Sequence, residues 1–376
     1  MIQISSTFDG GNIEILDAND PGDIRLRIQT DTASDHFQWF YFRLSGPVGE
    51  RVKISIEGLD KSSYSNAWTD YRTVVSADGE TWYRVDTTYT SGTLTSEFDL
   101  QSPRMMVAYF APYSVDRKDA CVSKALATGR FGYDVLGQSI DGRDLDCLHF
   151  GKAPDEAPVV WLIGRQHPGE TMASWWMEGA LEYLSDASNP VANAIRDELC
   201  VYIVPLMNPD GAFRGHLRTN TAGQDLNRAW AEPSIQSSPE VYHVRNRMDE
   251  TGVRLFLDVH GDEALPYNFI AATEGIPSWN DVRQKEKDAF TDLLARINPD
   301  FQTKHGYPVS SPGKGNLAVA NSQVGERFGA LAMTLEMPFK DSAITPDPEH
   351  GWSPPRCKHL VHSCLQAIFL HLQKTA

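Results

Sequence analysis

The sequence predicts an α/β protein in two parts: an N-terminal antiparallel β-sandwich followed by a mixed-sheet α/β domain. Three observations predict it. Short alternating runs separated by turn clusters fill residues 1 to about 115, with no long helical period among them. The pattern then changes to apolar strands alternating with helical stretches. Several of those apolar strands end in polar, chemistry-bearing residues.

In the first part the strand-like runs are NIEIL, DIRLRIQ, FQWFYFRL, RVKISIEGL, TWYRVDTTY and RMMVAYFAPY, broken by DGGN, NDPGD, SGPVGE and SADGE. About seven to nine strands pack naturally as a sandwich. Phe37, Trp39, Phe40, Tyr41 and Phe42 could make a stacking surface for carbohydrate, but apolar residues along one strand are better explained as core.

Composition shifts near Tyr113–Lys124, where SVDRKDACVSKAL reads as a helix between domains, and the boundary is set at 115/116. FGYDVLGQSIDGRDLDCLHFG reads as two strands about a turn at Asp141-Gly142. The strand VVWLIG precedes a helix at Trp175–Leu184, and a second helix, about Pro190–Glu198, leads into LCVYIVPL. Met207–Pro239 reads as a long loop, and loops of that length are commonly functional. A helix carrying Glu240, His243 and Arg247 leads to the strand VRLFLDVHG. A helix at about Trp279–Ile297, the strand ALAMTLEMPF and a helix after Pro354-Pro355 complete the chain.

Bulk properties exclude several classes. The 376 residues are 41% apolar and 22% charged, as in an ordinary globular protein. A formal net charge of -16 disfavours nucleic acid and anionic membrane as partners. Five scattered Cys without C-x-x-C fit reduced thiols. The N-terminal stretch lacks the pattern of a signal peptide, and no run approaches the roughly 18–20 apolar residues that span a bilayer. The expected location is the cytoplasm. G-x-S-x-G, Walker and G-x-G-x-x-G motifs are absent, which removes serine hydrolase, P-loop and dinucleotide readings.

The chemistry gathers at strand ends. VVWLIG delivers His167 and Glu170, YIVPL delivers Asn208 and Asp210, LFLDV delivers His260, and LAMTL runs into Glu336. With 11 His a chance His-x-x-Glu is expected, and His260-Gly-Asp-Glu263 is a second one, so the pair alone decides nothing. Two His and one carboxylate with an open fourth position suit a catalytic zinc. Glu336, within an apolar strand, is the natural general base, because desolvation raises its pKa towards working pH. The loop GHLRTNTAGQDLNRAW adds Arg214, Arg218, Arg228, Asn220 and Asn227, and Arg forks bind carboxylates or stabilise an oxyanion. Such a set implies hydrolysis of an acyl bond beside a free carboxylate. Cys357, His359, His362 and Cys364 point to different faces of one helix and make no second metal site.

HPGE, NPDG, DLNR, D-x-H-G and the Glu of TLEMPF together resemble the zinc carboxypeptidase family of carboxypeptidase A type. FQWFYFRLSG and YFAPYS narrow the resemblance to its cytosolic carboxypeptidase-like subfamily. The resemblance implies one zinc per chain on His167, Glu170 and His260, with Glu336 as base and later proton donor. It implies that Arg218 polarises the carbonyl, that Asn227 and Arg228 grip the substrate's terminal carboxylate, and that Asp225 orients His167. Glu263 matches no family position. The substrate would be the C-terminal tail of a peptide or protein, including acidic, glutamate-ended tails by subfamily. Two departures stand out. Digestive members carry a substrate-capping Tyr roughly twenty residues before the base, where this chain reads SSPGKGNLAVANSQVGE; Tyr307 lies near without aligning. The stretch Asn316–Asn321, expected to line the side-chain pocket, is neutral, with Lys314 and Arg327 nearby. The rival readings are a zinc-dependent deacylase of small N-acyl amino acids and a non-catalytic peptide-binding module.

Overall fold

A computed structural model describes residues 2–375. The first part holds ten strands among the described residues: β1 (Gln3–Ser5), β2 (Glu14–Asp17), β3 (Ile24–Arg27), β4 (Tyr41–Ser45), β5 (Arg51–Glu57), β6 (Val74–Ser76), β7 (Tyr83–Arg84), β8 (Asp86–Thr90), β9 (Thr93–Asp99) and β10 (Arg104–Ala108). They form two five-stranded sheets, β1-β4-β10-β6-β7 and β2-β3-β5-β9-β8. Pairing is antiparallel except between β3 and β5. The strand count exceeds the sequence expectation because β1, β6 and β9 are short or rich in Ser and Thr, so their alternation is weak. Alternation in β5 and β9 turns Val52, Ile54, Ile56, Leu94 and Phe98 inward, where they meet Phe42, Leu44, Met105 and Val107 of the other sheet.

The aromatic run is core, as expected, but is not one strand. Trp39, Phe40 and Phe42 are buried, Phe37 and Tyr41 partly so, and ladder pairing begins only at Tyr41. The residues before it are extended and tied individually, Trp39 through its indole N–H to the Gly10 carbonyl at 2.9 Å.

Helix α1 (Val115–Ala127), capped by the Ser114 hydroxyl on the Arg117 N–H, leads into the second part. That part is built on a seven-stranded sheet. Its strands are β11 (Phe131–Gln138), β12 (Asp144–Gly151), β13 (Val159–Gly164), β14 (Cys200–Val204), β15 (Leu255–Asp262), β16 (Phe269–Ala271) and β17 (Leu331–Pro338), in the order β11-β12-β14-β13-β15-β17-β16. The four central strands β14, β13, β15 and β17 are parallel, and the outer pairs are antiparallel. Every residue of β13, β14, β15 and β17 is buried, which is why these strands read as continuous apolar runs.

Helices cover both faces. Val160 and Leu162 of β13 pack with α2 (Thr171–Ser185), α3 (Pro190–Glu198) and later helices, while Trp161 and Ile163 face the opposite layer. The loop-rich Met207–Pro239 stretch contains the short helix α4 (Pro209–Arg214), whose NPDG start reads as a turn because Pro and Gly dominate it. Helices α5 (Pro239–Thr251), α6 (Asp281–Ile297), α7 (Ala320–Phe328) and α8 (Pro354–Thr375) follow. Helix α7 and strand β16 were not foreseen; at nine and three residues they carry too few periodic positions to register. All five cysteines are free. No helix among the described residues is long and apolar enough to cross a membrane.

Candidate active site

The parallel strands end on one side of the sheet, and that rim holds the site. Register decides its first pair. His260 on β15 lies directly beside Glu336 on β17, so two neighbouring side chains emerge together from adjacent strands. The β13 end contributes the turn from Arg165 to Glu170. Arg165 takes a left-handed conformation (φ 58°) that costs an L-residue energy. Its buried guanidinium offsets this by donating to the carbonyls of Pro168 (2.9 Å) and Tyr113 (2.6 Å) and to the Ser174 hydroxyl (3.3 Å). The turn thereby brings His167 and Glu170 back over the strand end.

His167, Glu170 and His260 form one buried cluster, each with a ligand atom within 4.8 Å of the others. Glu170 Oε1 lies 2.6 Å from His167 Nδ1, and Oε2 lies 2.7 Å from His260 Nδ1 and 3.0 Å from the Gly261 N–H. The outer nitrogens also face carboxylates: His167 Nε2 is 3.0 Å from Asp225 Oδ1, and His260 Nε2 is 2.9 Å from Asp258 Oδ2. A carboxylate behind each ring favours the Nε2–H tautomer and leaves the Nδ1 lone pair facing inward. Two inward lone pairs and a carboxylate at these distances need a proton or a cation between them. One carboxylate and two imidazoles, with carboxylates fixing the rings from behind, is a donor set that fits zinc. Burial pushes the Glu170 carboxyl up, but the adjoining imidazoles outweigh it and hold it well below its ordinary value.

Glu336 is buried, and its carboxylate makes no hydrogen bond among the described residues. Burial, with Glu170, Asp262 and Asp258 nearby, pushes it well above its ordinary value despite the opposing charge of His260.

The DLNR turn borders the same cavity through Asn227 and Arg228. Asp225 caps it by accepting from the Asn227 N–H at 2.9 Å. Its other oxygen accepts from Arg218 Nε at 2.8 Å, so one carboxylate links His167 to Arg218. Asn227 Oδ1 accepts from the Ala320 N–H (2.8 Å), which turns the amide NH2 away, and Arg228 is exposed with one N–H on the Asn227 carbonyl. All eight expected residues except Asp225 line one cavity of about 780 Å³, and Asp225 stands directly behind it.

Several polar residues flagged in the sequence do other work. Asn208 caps α4 and holds the Gln166 carbonyl (3.1 Å); Asp210 accepts from Ser139, the Asp141 N–H and Arg143. Arg214 pairs with Asp141, Asn220 braces its own loop, and Arg327 pairs with Asp249 at 2.6 Å. Glu263 and Tyr307 do line the cavity; the Tyr307 hydroxyl donates to Asp262 Oδ2 at 2.6 Å. Lys287, not flagged, lines it too and pairs with Glu274 at 3.3 Å, whereas Lys314 is not among its walls. Cys357 and Cys364 are core while His359 and His362 are exposed, so they form no cluster.

Asp31 and Tyr64 were missed. Both belong to the β-sandwich and reach the Arg218 loop from more than 150 positions away in sequence, a distance no local pattern bridges. Asp31 accepts from the N–H groups of Leu217 (2.6 Å), Arg218 (2.8 Å) and Thr219 (2.9 Å). Asp258 was visible only as the first letter of D-x-H-G.

Residues 4–110 match the cytosolic carboxypeptidase N-terminal domain, and residues 129–350 match the zinc carboxypeptidase family. An uncharacterised protein of Zymomonas mobilis is 46% identical over 98% of this chain and 96% of its own length. Human cytosolic carboxypeptidase 1 is 27% identical over 69% of this chain, which spans 25% of that longer protein. A metallo-carboxypeptidase from Pseudomonas aeruginosa, solved in complex with (2-guanidinoethylmercapto)succinic acid, superposes with a TM-score of 0.96 at 42% identity over all of both chains. The chain belongs to the zinc carboxypeptidase family and is a metallocarboxypeptidase of its cytosolic carboxypeptidase-like branch.

Proposed function

We propose that this enzyme removes the C-terminal residue of peptides or protein tails in the cytoplasm, with one zinc held by His167, Glu170 and His260. We divide it at 115/116 into a β-sandwich and a catalytic domain. The observation that carries the reading is that one cavity is lined together by the His-Glu-His cluster and Glu336 from the strand ends and by Arg218, Asn227 and Arg228 from the long loop.

Zinc, when bound, supplies Lewis acidity to a carbonyl and lowers the pKa of water. The chain's own residues do the rest. Glu336, whose burial raises its affinity for a proton, takes a proton from the attacking water on its carboxylate and returns it to the leaving amine. Arg218, held by Asp225 at 2.8 Å, presents its guanidinium to the oxygen that gains charge. The amide NH2 of Asn227 and the exposed guanidinium of Arg228 take the substrate's free carboxylate, which restricts cleavage to chain ends. The succinate half of the ligand named for the P. aeruginosa relative, with two carboxylates, suits such a cation-lined site.

For the terminal side chain, the lysines lining the cavity are Lys287, already paired with Glu274, and Lys304. An acidic end would be read by these lysines rather than by the neutral Asn316–Asn321 stretch. The test is a peptide panel differing in terminal residue, each as free acid and amide, with and without chelator, read by mass spectrometry. Loss of single residues from free acids alone, abolished by chelation and restored by zinc, is the expected result. Arg228→Ala should lose about 10- to 100-fold in kcat/KM on free acids. Cleavage of N-acyl amino acids but of no peptide would replace this reading with the deacylase.

A further inference from the structure

Tyr64 comes from the β-sandwich, yet it lines the cavity beside Arg218. Its hydroxyl oxygen accepts a hydrogen bond from Arg218 Nη1. A phenol that accepts one bond still has a hydrogen to donate. Among the described residues nothing takes that hydrogen, although Tyr64 is largely buried. The other cavity-lining phenol differs: Tyr307 spends its hydrogen on Asp262 Oδ2 at 2.6 Å. The two tyrosines are therefore not equivalent, and only Tyr64 has a hydrogen left for a ligand.

The support behind Tyr64 is built rather than incidental. Gln38 is fully buried and grips the Tyr64 backbone from both sides, accepting from its N–H at 2.9 Å and donating to its carbonyl at 3.4 Å. The same Gln38 amide donates to the Tyr109 hydroxyl at 2.9 Å. A buried amide is costly unless satisfied, so this one fixes where Tyr64 stands. On the other side, Asp31 holds the backbone of the Arg218 loop through three N–H groups. Both hydroxyl and guanidinium are thus pinned from the same sandwich, and both face the cavity.

We propose that Tyr64 is a further catalytic residue: its hydroxyl donates a hydrogen bond to the same substrate oxygen that Arg218 polarises, and does so most strongly when that oxygen becomes anionic. No proton is transferred; the phenol, pushed up by burial, keeps its hydrogen throughout. The inference rests on the metallocarboxypeptidase reading above and adds to it that the N-terminal domain supplies part of the oxyanion site. Catalysis then requires both domains.

The test uses the full-length zinc-loaded enzyme and Tyr64→Phe, which keeps the ring and its contact with Arg218 (5.9 Å to the ring centroid) while deleting the hydroxyl. The expected result is a fall in kcat of about 10- to 100-fold with KM changed by less than about twofold. A phosphonate peptide, whose tetrahedral anion mimics the oxyanion, should lose affinity by the same factor, while a substituted succinic acid binds as before. Equal kcat, or equal weakening of phosphonate and succinate, overturns the proposal, the second outcome showing a supporting role only. Affinity ratios do not depend on how much of the variant is folded. Wild-type turnover tests the peptidase reading, whereas the variant ratio tests Tyr64, so the two fail separately.

Discussion

Glu336 shows how a single position acquires a role from its surroundings. The residue lies in an apolar strand, beside His260 by register, and its carboxylate finds no donor among the described residues. An acid with no stabilising partner holds its proton more tightly, which suits a group that must accept a proton and later give it back. Glu336→Gln should lower kcat by about 10²- to 10⁴-fold. Because Glu336 is not one of the three clustered ligand atoms, zinc content measured by elemental analysis should stay at one per chain. Loss of both activity and zinc would instead place Glu336 among the ligands.

At the scale of elements, the active site is assembled from loops that would not hold themselves. The segment around Arg218 lies in an irregular stretch, and its backbone N–H groups at Leu217, Arg218 and Thr219 all end on Asp31. A carboxylate can accept from all three at once, which an amide cannot do without presenting its own N–H groups to donors. Asn12 and His216 add further bonds between the sandwich and this loop, Asn12 to the Gly215 carbonyl (2.8 Å) and His216 from the Thr32 N–H (3.0 Å). Asp31→Asn should destabilise the fold by about 1–3 kcal/mol, the usual cost of leaving a buried polar group unsatisfied. It should also cut kcat through misplacement of Arg218 while zinc stays bound. Denaturant midpoints and turnover on one free-acid peptide check both; unchanged kcat in a destabilised variant would separate the anchor from catalysis.

The whole molecule carries a titration signature. Glu240, fully buried at the start of α5, is pushed by burial from its ordinary 4.5 up to about 7. Oε2 accepts from Asn220, which braces the loop ahead of Asp225, Asn227 and Arg228, and Oε1 has no partner. A pKa raised in the fold means that the native chain binds the proton more tightly than the unfolded chain. The associated stability is complete below pH 4.5 and is lost as pH rises through 7. Glu240→Gln has no such slope. It should be more stable than wild type near pH 8 by on the order of 2 kcal/mol, and the difference should shrink towards pH 4. Urea midpoints of both proteins across that range check it; a constant difference would assign the effect to packing.

Local chemistry made much of this protein legible. Buried parallel strands wrote themselves as apolar runs, because helices cover both faces and no solvent face dilutes the pattern. HPGE, DLNR, D-x-H-G and TLEMPF keep the site residues in short motifs, because each motif must place its side chains at one strand end or turn. The short strands β1, β6 and β16 and helix α7 left weak signals, since a few residues cannot establish a period. Tertiary structure alone decided which Arg and Asn of the long loop face the cavity: Arg218, Asn227 and Arg228 do, while Arg214 and Asn220 serve the surface and the loop itself. It alone brought Asp31 and Tyr64 from the sandwich to Arg218, because contacts across such sequence separation follow from how two cores pack and leave no spacing to read.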